Sequence, residues 1–302
     1  MQIAIFGLGR MGMQIAKRLH KNGFDVKAWN RSEEPRKAFQ EFGGMAFESV
    51  EGAINALTDN TRIFWLMLPN DIVESFITDQ LMPNLKSGDI VIDGGNSFYK
   101  DSIRRSQMLA EKGVIFYDTG TSGGVWGFER GFALMVGGPK GHWDKVEPIY
   151  KALSAGDNYG LLGSSGAGHF VKMAHNGIEY GMMEAIAEGF AVMKASDFNL
   201  DLAQVSRVYQ KGSVVSSWLI DLTRNIFENE NVDATSGLID STGEGEWTIK
   251  IAKELGVDVR VIEDSYKVRQ ESKELQNQNK FSNKIVALLR KQFGGHKIHP
   301  VK

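Results

Sequence analysis

Lys172, His175, Asn176 and Glu179 lie in one proline-free stretch that runs from His169 to Lys194. At about 100° per residue they fall on one side of a helix. That side carries an amine, an imidazole, an amide and a carboxylate within two turns. A lysine serves as a general base when desolvation or a neighbouring positive charge lowers its pKa, and a glutamate serves as a general acid when it is kept protonated. The spacing alone fits a solvated Lys/Glu helix face equally well. The Asn176-Gly177 pair adds a second argument. Glycine in mid-helix costs about 1 kcal/mol relative to alanine, so Gly177 is expected where a backbone or a ligand comes close.

A second constellation stands near the N-terminus. Gly7-Leu8-Gly9-Arg10-Met11-Gly12 fits the pattern G-x-G-x-x-G, which is weak by itself in a chain with 34 glycines. Here it follows an apolar run, Ile3–Phe6, and opens a helical pattern, and that context gives it meaning. The first glycine permits the tight turn, the second lets a pyrophosphate approach the backbone, and the third lets helix and strand pack closely. The helix N-terminus offers unpaired N–H groups and a positive dipole end. Gly7, Leu8, Gly9, Arg10, Met11 and Gly12 are therefore expected to hold a dinucleotide. The second apolar run ends at Trp29 and leads into Asn30-Arg31-Ser32. NAD-binding chains usually place an acid here, whereas an arginine accommodates the extra phosphate of NADP. Asn30 is not an acid, Arg31 offers a planar fork and Ser32 a hydroxyl. The three favour NADP, with NAD the other candidate. Glu33 and Glu34 weaken the local positive field, and an ordinary surface arginine is the competing account of Arg31. An oxidised nicotinamide, being positive, would push down the pKa of a lysine beside it.

These groups need elements to position them. Apolar runs at Ile3–Phe6, Val26–Trp29, Ile63–Leu68, Ile90–Ile92, Val114–Tyr117 and Ala133–Val136 alternate with helical patterns such as Gly12–His20 and Asp101–Lys112. That alternation predicts a mostly parallel sheet covered by helices. The character changes at Gly163-Ser164-Ser165-Gly166-Ala167-Gly168, a small and flexible segment, after which the patterns are helical. The expected organisation is a Rossmann-type α/β domain over residues 1–163, binding the dinucleotide, followed by an all-α domain over 164–302 for substrate and dimerisation.

Composition narrows the classes of function. The 302 residues carry 35 basic and 37 acidic side chains, a net charge of −2. That balance argues against nucleic acid or an anionic membrane as partner, while a small anion needs only a local cluster. There is no cysteine, which excludes disulfides, thiolate metal sites and a cysteine nucleophile and suits a reducing cytoplasm. The N-terminus shows no basic region or cleavage site, so no signal peptide is expected. No run of about 18 apolar residues suggests a membrane span.

Four separate stretches resemble the 6-phosphogluconate dehydrogenase family. Lys172, His175, Asn176, Gly177, Ile178, Glu179 and Tyr180 match its K-x-x-H-N-G-I-E-Y helix. Ile92-Asp93-Gly94-Gly95-Asn96-Ser97 matches its I-D-G-G-N-S loop, and Ser122-Gly123-Gly124 its S-G-G turn. Arg290-Lys291-Gln292-Phe293-Gly294-Gly295-His296 resembles its R-x-x-F-G-x-H tail. The resemblance runs from Gly7 to His296 and, because the chain is shorter by a block of helices, points to the short form. It implies oxidative decarboxylation of 6-phosphogluconate to ribulose 5-phosphate and CO2 with reduction of NADP or NAD, a step of the pentose phosphate pathway. It implies that Lys172 takes the proton of the 3-hydroxyl and that Glu179 protonates C1 of the enediol left after CO2 departs. It implies no metal, because a β-keto acid already holds an electron sink that an ammonium can polarise. Asn96, His175 and Asn176 would hold hydroxyls, with Asn96 also on the nicotinamide side and Tyr180 within the same substrate set. The N–H groups around Ser122, Gly123 and Gly124 would receive the carboxylate as a backbone nest does. Arg269 would grip the phosphate. Arg290 and His296 would reach into the partner subunit's site, making a homodimer or homotetramer. Met67, Leu68 and Pro69 resemble the wider 3-hydroxyacid dehydrogenases and are expected beside the cofactor, with an apolar strand end as the equally simple account.

One run departs from the family. Thr242-Gly243-Glu244-Gly245-Glu246-Trp247-Thr248 carries two acids where K-G-T-G-K-W-T is frequent. A carboxylate beside a phosphate repels it, so either Glu244 and Glu246 point away or the grip rests on Arg269 and Arg290. Two other readings compete. A simple 3-hydroxyacid dehydrogenase of the hydroxyisobutyrate type would release no CO2. A cofactor-binding regulator would show no turnover, and the intact Lys172/Glu179 set argues against it.

Overall fold

The computed structural model describes residues 1–240 and 243–299. It divides into two compact units, Met1–Lys172 and Met173–Lys302. The first unit holds eight strands: β1 (Gln2–Phe6), β2 (Asp25–Trp29), β3 (Met45–Phe47), β4 (Ile63–Leu66), β5 (Ile90–Asp93), β6 (Ile115–Ser122), β7 (Phe132–Gly137) and β8 (Ser154–Gly163). Between them run α1 (Arg10–Lys21), α2 (Glu33–Glu41), α3 (Val50–Asn55), α4 (Asn70–Phe76), α5 (Tyr99–Ala110), α6 (Gly127–Arg130) and α7 (Trp143–Leu153). The strands form one sheet in the order β3-β2-β1-β4-β5-β6-β7-β8. Every neighbouring pair is parallel except β6 and β7.

Period-two alternation explains why the sheet is apolar on both faces. Successive side chains leave a strand on opposite sides. Ile3, Ile5, Trp65, Ile90, Ile92 and Tyr117 enter one core with Ile15 and Leu19 of α1. Ala4, Phe6, Phe64, Leu66, Val91 and Phe116 enter another with Val50 and Ala53 of α3. Helices cover both faces, the usual condition of a parallel sheet.

Two strands lie outside the expected set. β3 has only three residues, none of them buried. β8, Ser-Ala-Gly-Asp-Asn-Tyr-Gly-Leu-Leu-Gly, is polar and exposed over much of its length. Edge strands carry little apolar signal because only one side pairs. The segment 163–168, expected to be flexible, is instead anchored. The Asp118 carboxylate accepts the backbone N–H of Gly166 at 2.6 Å and of His169 at 2.8 Å. A side chain at Gly168 would stand 2.5 Å from the carbonyl oxygens of Asp118 and Met135. The small residues there serve close packing.

α8 (Ala167–Lys194) has 28 residues, about 42 Å at 1.5 Å per residue. The division between the two units falls inside it, after Lys172. The second unit continues with α9 (Leu202–Tyr209), α10 (Trp218–Asn229), α11 (Glu244–Glu254), α12 (Arg260–Glu271) and α13 (Phe281–Gly294), and has no strand among the described residues. Its core joins Tyr180, Met183 and Ala187 of α8 to Leu219, Leu222 and Ile226 of α10 and Ile285, Val286, Leu288 and Leu289 of α13. The spacing i, i+3, i+7 on α8 is one helical stripe. The architecture is the expected α/β unit followed by an all-α one. Among the described residues, no helix is long and apolar enough to cross a membrane.

Candidate active site

The glycine-rich turn is built against the sheet. Gly7 has φ +103°, and a side chain there would stand 2.4 Å from the Met67 carbonyl oxygen. A side chain at Gly12 would stand 2.0 Å from the Gly7 carbonyl and 3.0 Å from the Met67 side chain. These two positions are glycine because the chain itself leaves no room. At Gly9 a side chain would meet no protein atom. Glycine there answers no packing demand of the protein, which fits close approach of a ligand. α1 begins at Arg10, directly after Leu8 and Gly9, without a side-chain cap or an acid in its first turn. Its positive dipole end is therefore suited to an anion. The turn fits a dinucleotide pyrophosphate.

Met67 thus backs the fingerprint glycines. Leu68 is buried and Pro69 precedes α4. Asn30 braces the turn from below. Its Oδ1 accepts the N–H of Leu8 at 2.9 Å and its Nδ2 donates to the Ser32 carbonyl at 3.2 Å. Arg31 and Ser32 are exposed. Arg36 was not among the expected residues. Its Nη1 donates to the carbonyls of Asn30 (2.7 Å) and Arg31 (3.0 Å), fixing the turn that carries Arg31. Its place one turn into α2 gave no motif to read. Glu33, expected to dilute the local charge, is paired with Lys37 at 2.7 Å along α2.

The 92–97 loop is organised by Asp93. This fully buried carboxylate accepts the Gly95 N–H (3.1 Å), the Ser97 hydroxyl (2.8 Å) and Arg105 Nη1 (3.0 Å). The loop then leaves Asn96 exposed. His169, for which the sequence suggested no role, ties this loop to the start of α8. Its Nε2 lies 3.1 Å from the Gly95 carbonyl and its Nδ1 2.7 Å from the Ser102 hydroxyl. A carbonyl only accepts, so Nε2 donates and Nδ1 accepts from Ser102 in the neutral ring.

Lys172 packs against β6. Gly120 faces it so closely that a side chain there would stand 2.3 Å from the Lys172 Cβ. β6 ends at Ser122, and Gly123 and Gly124 have φ +134° and +60°. Glycine adopts such angles freely, and the turn they make fits the expected anion-receiving N–H groups.

In the second unit, Asn176 is buried, and its Oδ1 lies 3.2 Å from His175 Nδ1. His175 Nδ1 also lies 3.8 Å from Glu179 Oε2. Both His175 and Glu179 are partly exposed. Gly177 was expected to meet a backbone or a ligand. It meets side chains: a Cβ there would stand 2.8 Å from Thr248 Cγ2 and 3.0 Å from Ile262 Cδ1. Glycine at 177 lets α11 and α12 approach α8.

Tyr180, Arg269 and Arg290 form one buried cluster. The Arg269 guanidinium lies 3.2 Å from the centroid of the Tyr180 ring, a cation–π contact. Arg269 is 1% exposed and Arg290 6%. Burial, then the positive charge of Arg269, hold Arg290 below its ordinary pKa. Burial pushes the Tyr180 hydroxyl up, and Arg269 counters it. Two neighbouring buried guanidiniums repel and lose hydration, an arrangement suited to a multiply charged anion. Arg290 was expected to reach into a partner's site. Within this chain it is buried, because the apolar face of α13 packs into the core and carries Arg290 inward with it. His296 lies two residues past the end of α13, its ring 6.4 Å from that of Phe293. Glu246 accepts from the Tyr266 hydroxyl at 3.3 Å. Glu244 acts electrostatically on both Tyr180 and Arg290. Thr242, which opens that run, lies outside the described residues.

Two family profiles match the chain. One, described as the NAD binding domain of 6-phosphogluconate dehydrogenase, matches residues 2–164. The other, the 6-phosphogluconate dehydrogenase C-terminal domain, matches residues 168–299. A protein of Bacillus subtilis (strain 168) with a provisional 6-phosphogluconate dehydrogenase name is 39% identical over 98% of both chains. The NAD(+)-dependent, decarboxylating 6-phosphogluconate dehydrogenase of Haloferax volcanii is 37% identical over 99% of this chain and 98% of its own. Among solved structures, Plasmodium falciparum 6-phosphogluconate dehydrogenase is 31% identical with a TM-score of 0.80 over 91% of this chain. The match spans 63% of that longer chain.

Proposed function

This chain belongs to the 6-phosphogluconate dehydrogenase family, and from that premise we propose that it oxidises 6-phosphogluconate and releases CO2, leaving ribulose 5-phosphate. The observation that carries the reading is the buried pair Arg269 and Arg290 beside Tyr180. It fits a phosphate, which a hydroxyisobutyrate-type substrate lacks.

In this reading residues 1–163 bind the dinucleotide and 164–302 hold the substrate and the dimer contact. Gly7 to Gly12 receive the pyrophosphate at the start of α1. Arg31, braced by Arg36, meets the extra phosphate of NADP, so NADP is the preferred cofactor and NAD the alternative. When bound, the nicotinamide supplies the hydride acceptor. Lys172 takes the proton from the 3-hydroxyl as the C3–H hydride leaves. The resulting ammonium hydrogen-bonds the 3-keto oxygen and stabilises the charge that develops there as the C1–C2 bond breaks. The departing CO2 leaves its electron pair in the enediol. Glu179 then delivers a proton to the carbon that was C2. Asn96, His175 and Asn176 hold hydroxyls, and the N–H groups at Ser122, Gly123 and Gly124 hold the carboxylate until it leaves.

The chain acts as a homodimer or homotetramer in the cytoplasm. Ile178, Val192, Val208 and Val261 are each at least 60% exposed, apolar side chains that a subunit contact would cover. The tail from His296 is the part left to complete a partner's site. The test is a panel of 6-phosphogluconate, gluconate and 3-hydroxyisobutyrate with each nicotinamide cofactor. Turnover of 6-phosphogluconate far above the other two is expected. Preference for 3-hydroxyisobutyrate would overturn the reading.

A further inference from the structure

Glu184 lies one helical turn beyond Tyr180 on α8 and is 4% exposed. Neither carboxylate oxygen has a hydrogen-bond partner among the described residues, and the same holds for Arg269 Nε. The two groups face each other at 3.8 Å. That is close enough for strong attraction in a buried setting and too long for a hydrogen bond. Arg269 is held elsewhere, stacked on Tyr180 at 3.2 Å with Nη2 4.0 Å from Met183 Sδ. A fixed guanidinium, a second one on α13 and a carboxylate that stops short of pairing are the parts of a charge balance. With Glu184 ionised the trio carries one net positive charge; with Glu184 protonated it carries two. A phosphate monoester dianion matches the second state.

We propose that Glu184 is a positioning residue of the anion site: its carboxylate balances Arg269 in the free protein, and it takes a proton from solvent when a phosphate dianion settles on Arg269 and Arg290. The inference rests on the reading of those two arginines as the phosphate grip. The groups that govern Glu184 are few. Arg269 on α12 favours its charged form and Glu188 on α8 opposes it, while burial is the largest influence and raises it to about 7. Arg290 on α13 acts through Arg269, with Tyr180, Asp240 and Glu244 around it. An incoming dianion adds negative charge and raises Glu184 further. The sign follows. The tighter binding is fully present below the free-state value and fades as pH rises through the bound-state value.

The experiment is calorimetry of 6-phosphogluconate binding to the assembled enzyme at pH 7, in buffers of different ionisation enthalpy. Inorganic sulfate, a dianion with no proton to exchange, is the second probe. Glu184→Gln keeps the shape and removes the proton. The wild type is expected to take up about half a proton per site more than the variant, since a group near pH 7 is half ionised there. The substrate KM of the wild type is expected to rise up to about tenfold per pH unit above 7, and that of Glu184→Gln to stay flatter. Glu188→Gln, being exposed, should leave the proton count close to the wild type's. Equal proton counts in wild type and Glu184→Gln with 6-phosphogluconate bound would overturn the inference and leave the proposed substrate standing. Sulfate binding with a Glu184-dependent proton, and no binding of 6-phosphogluconate, would support the inference for an anion and overturn the substrate. Binding of neither would overturn both.

Discussion

Gly120 and Lys172 pack so closely that one methyl group on Gly120 would overlap the Lys172 Cβ at 2.3 Å. Glycine on β6 sets how deeply the amine-bearing turn of α8 seats on the sheet. Gly120→Ala is therefore expected to lower kcat at least tenfold while dinucleotide affinity changes little. Overpacking of this kind costs about 1–3 kcal/mol of stability, which thermal unfolding would register. Wild-type kcat in a folded Gly120→Ala protein would show that this contact does not set the position of Lys172.

Lys172→Met tests the base itself. The change keeps the side chain's length and removes its amine. Turnover should fall well over tenfold with cofactor binding near normal. A variant that kept a tenth of wild-type kcat would have lost only about 1.4 kcal/mol of barrier reduction, too little for a general base, and the assignment would fail.

Cofactor choice is expected to depend on Arg31 and, behind it, Arg36. Arg31→Ala should raise KM for NADP far more than for NAD. Arg36→Ala should have the same direction and a smaller size, because Arg36 holds the carbonyls of Asn30 and Arg31 rather than offering its own charge to the ligand. Equal shifts for both cofactors would show that this turn does not meet the distinguishing phosphate.

These tests also mark what could be read from residue order. The central strands were legible because Ile3–Phe6 and Ile90–Ile92 are continuous apolar runs buried on both faces. The edge strands β3 and β8 were not, since half-solvated strands need no such run. α8 was legible from its unbroken helical stretch, and the polar face from its spacing. The reason for Gly177 was misread: the close approach comes from Thr248 and Ile262, some 70 to 85 positions later in the chain, a contact that no local pattern encodes. Arg269 and Arg290 were named by resemblance, but their joint burial depends on how α12 and α13 pack. Glu184 was missed for the same reason. In sequence it is one acid on a helix, and only the fold puts it beside Arg269.

The tail gives a prediction about assembly. Arg290 is buried within this chain, so the shared site is tested at His296. Lys172→Met and His296→Ala chains, each impaired, should regain activity when mixed under conditions that exchange subunits. Demonstrated exchange with no gain would assign His296 to its own chain.

Oxidation and decarboxylation are expected to occur together at one site. The most direct measurement is the ratio of CO2 released to cofactor reduced during turnover of 6-phosphogluconate. A ratio of about one throughout is expected, because the β-keto acid formed with Lys172 loses CO2 before it leaves. Cofactor reduction without CO2, and accumulation of a keto acid in its place, would contradict it.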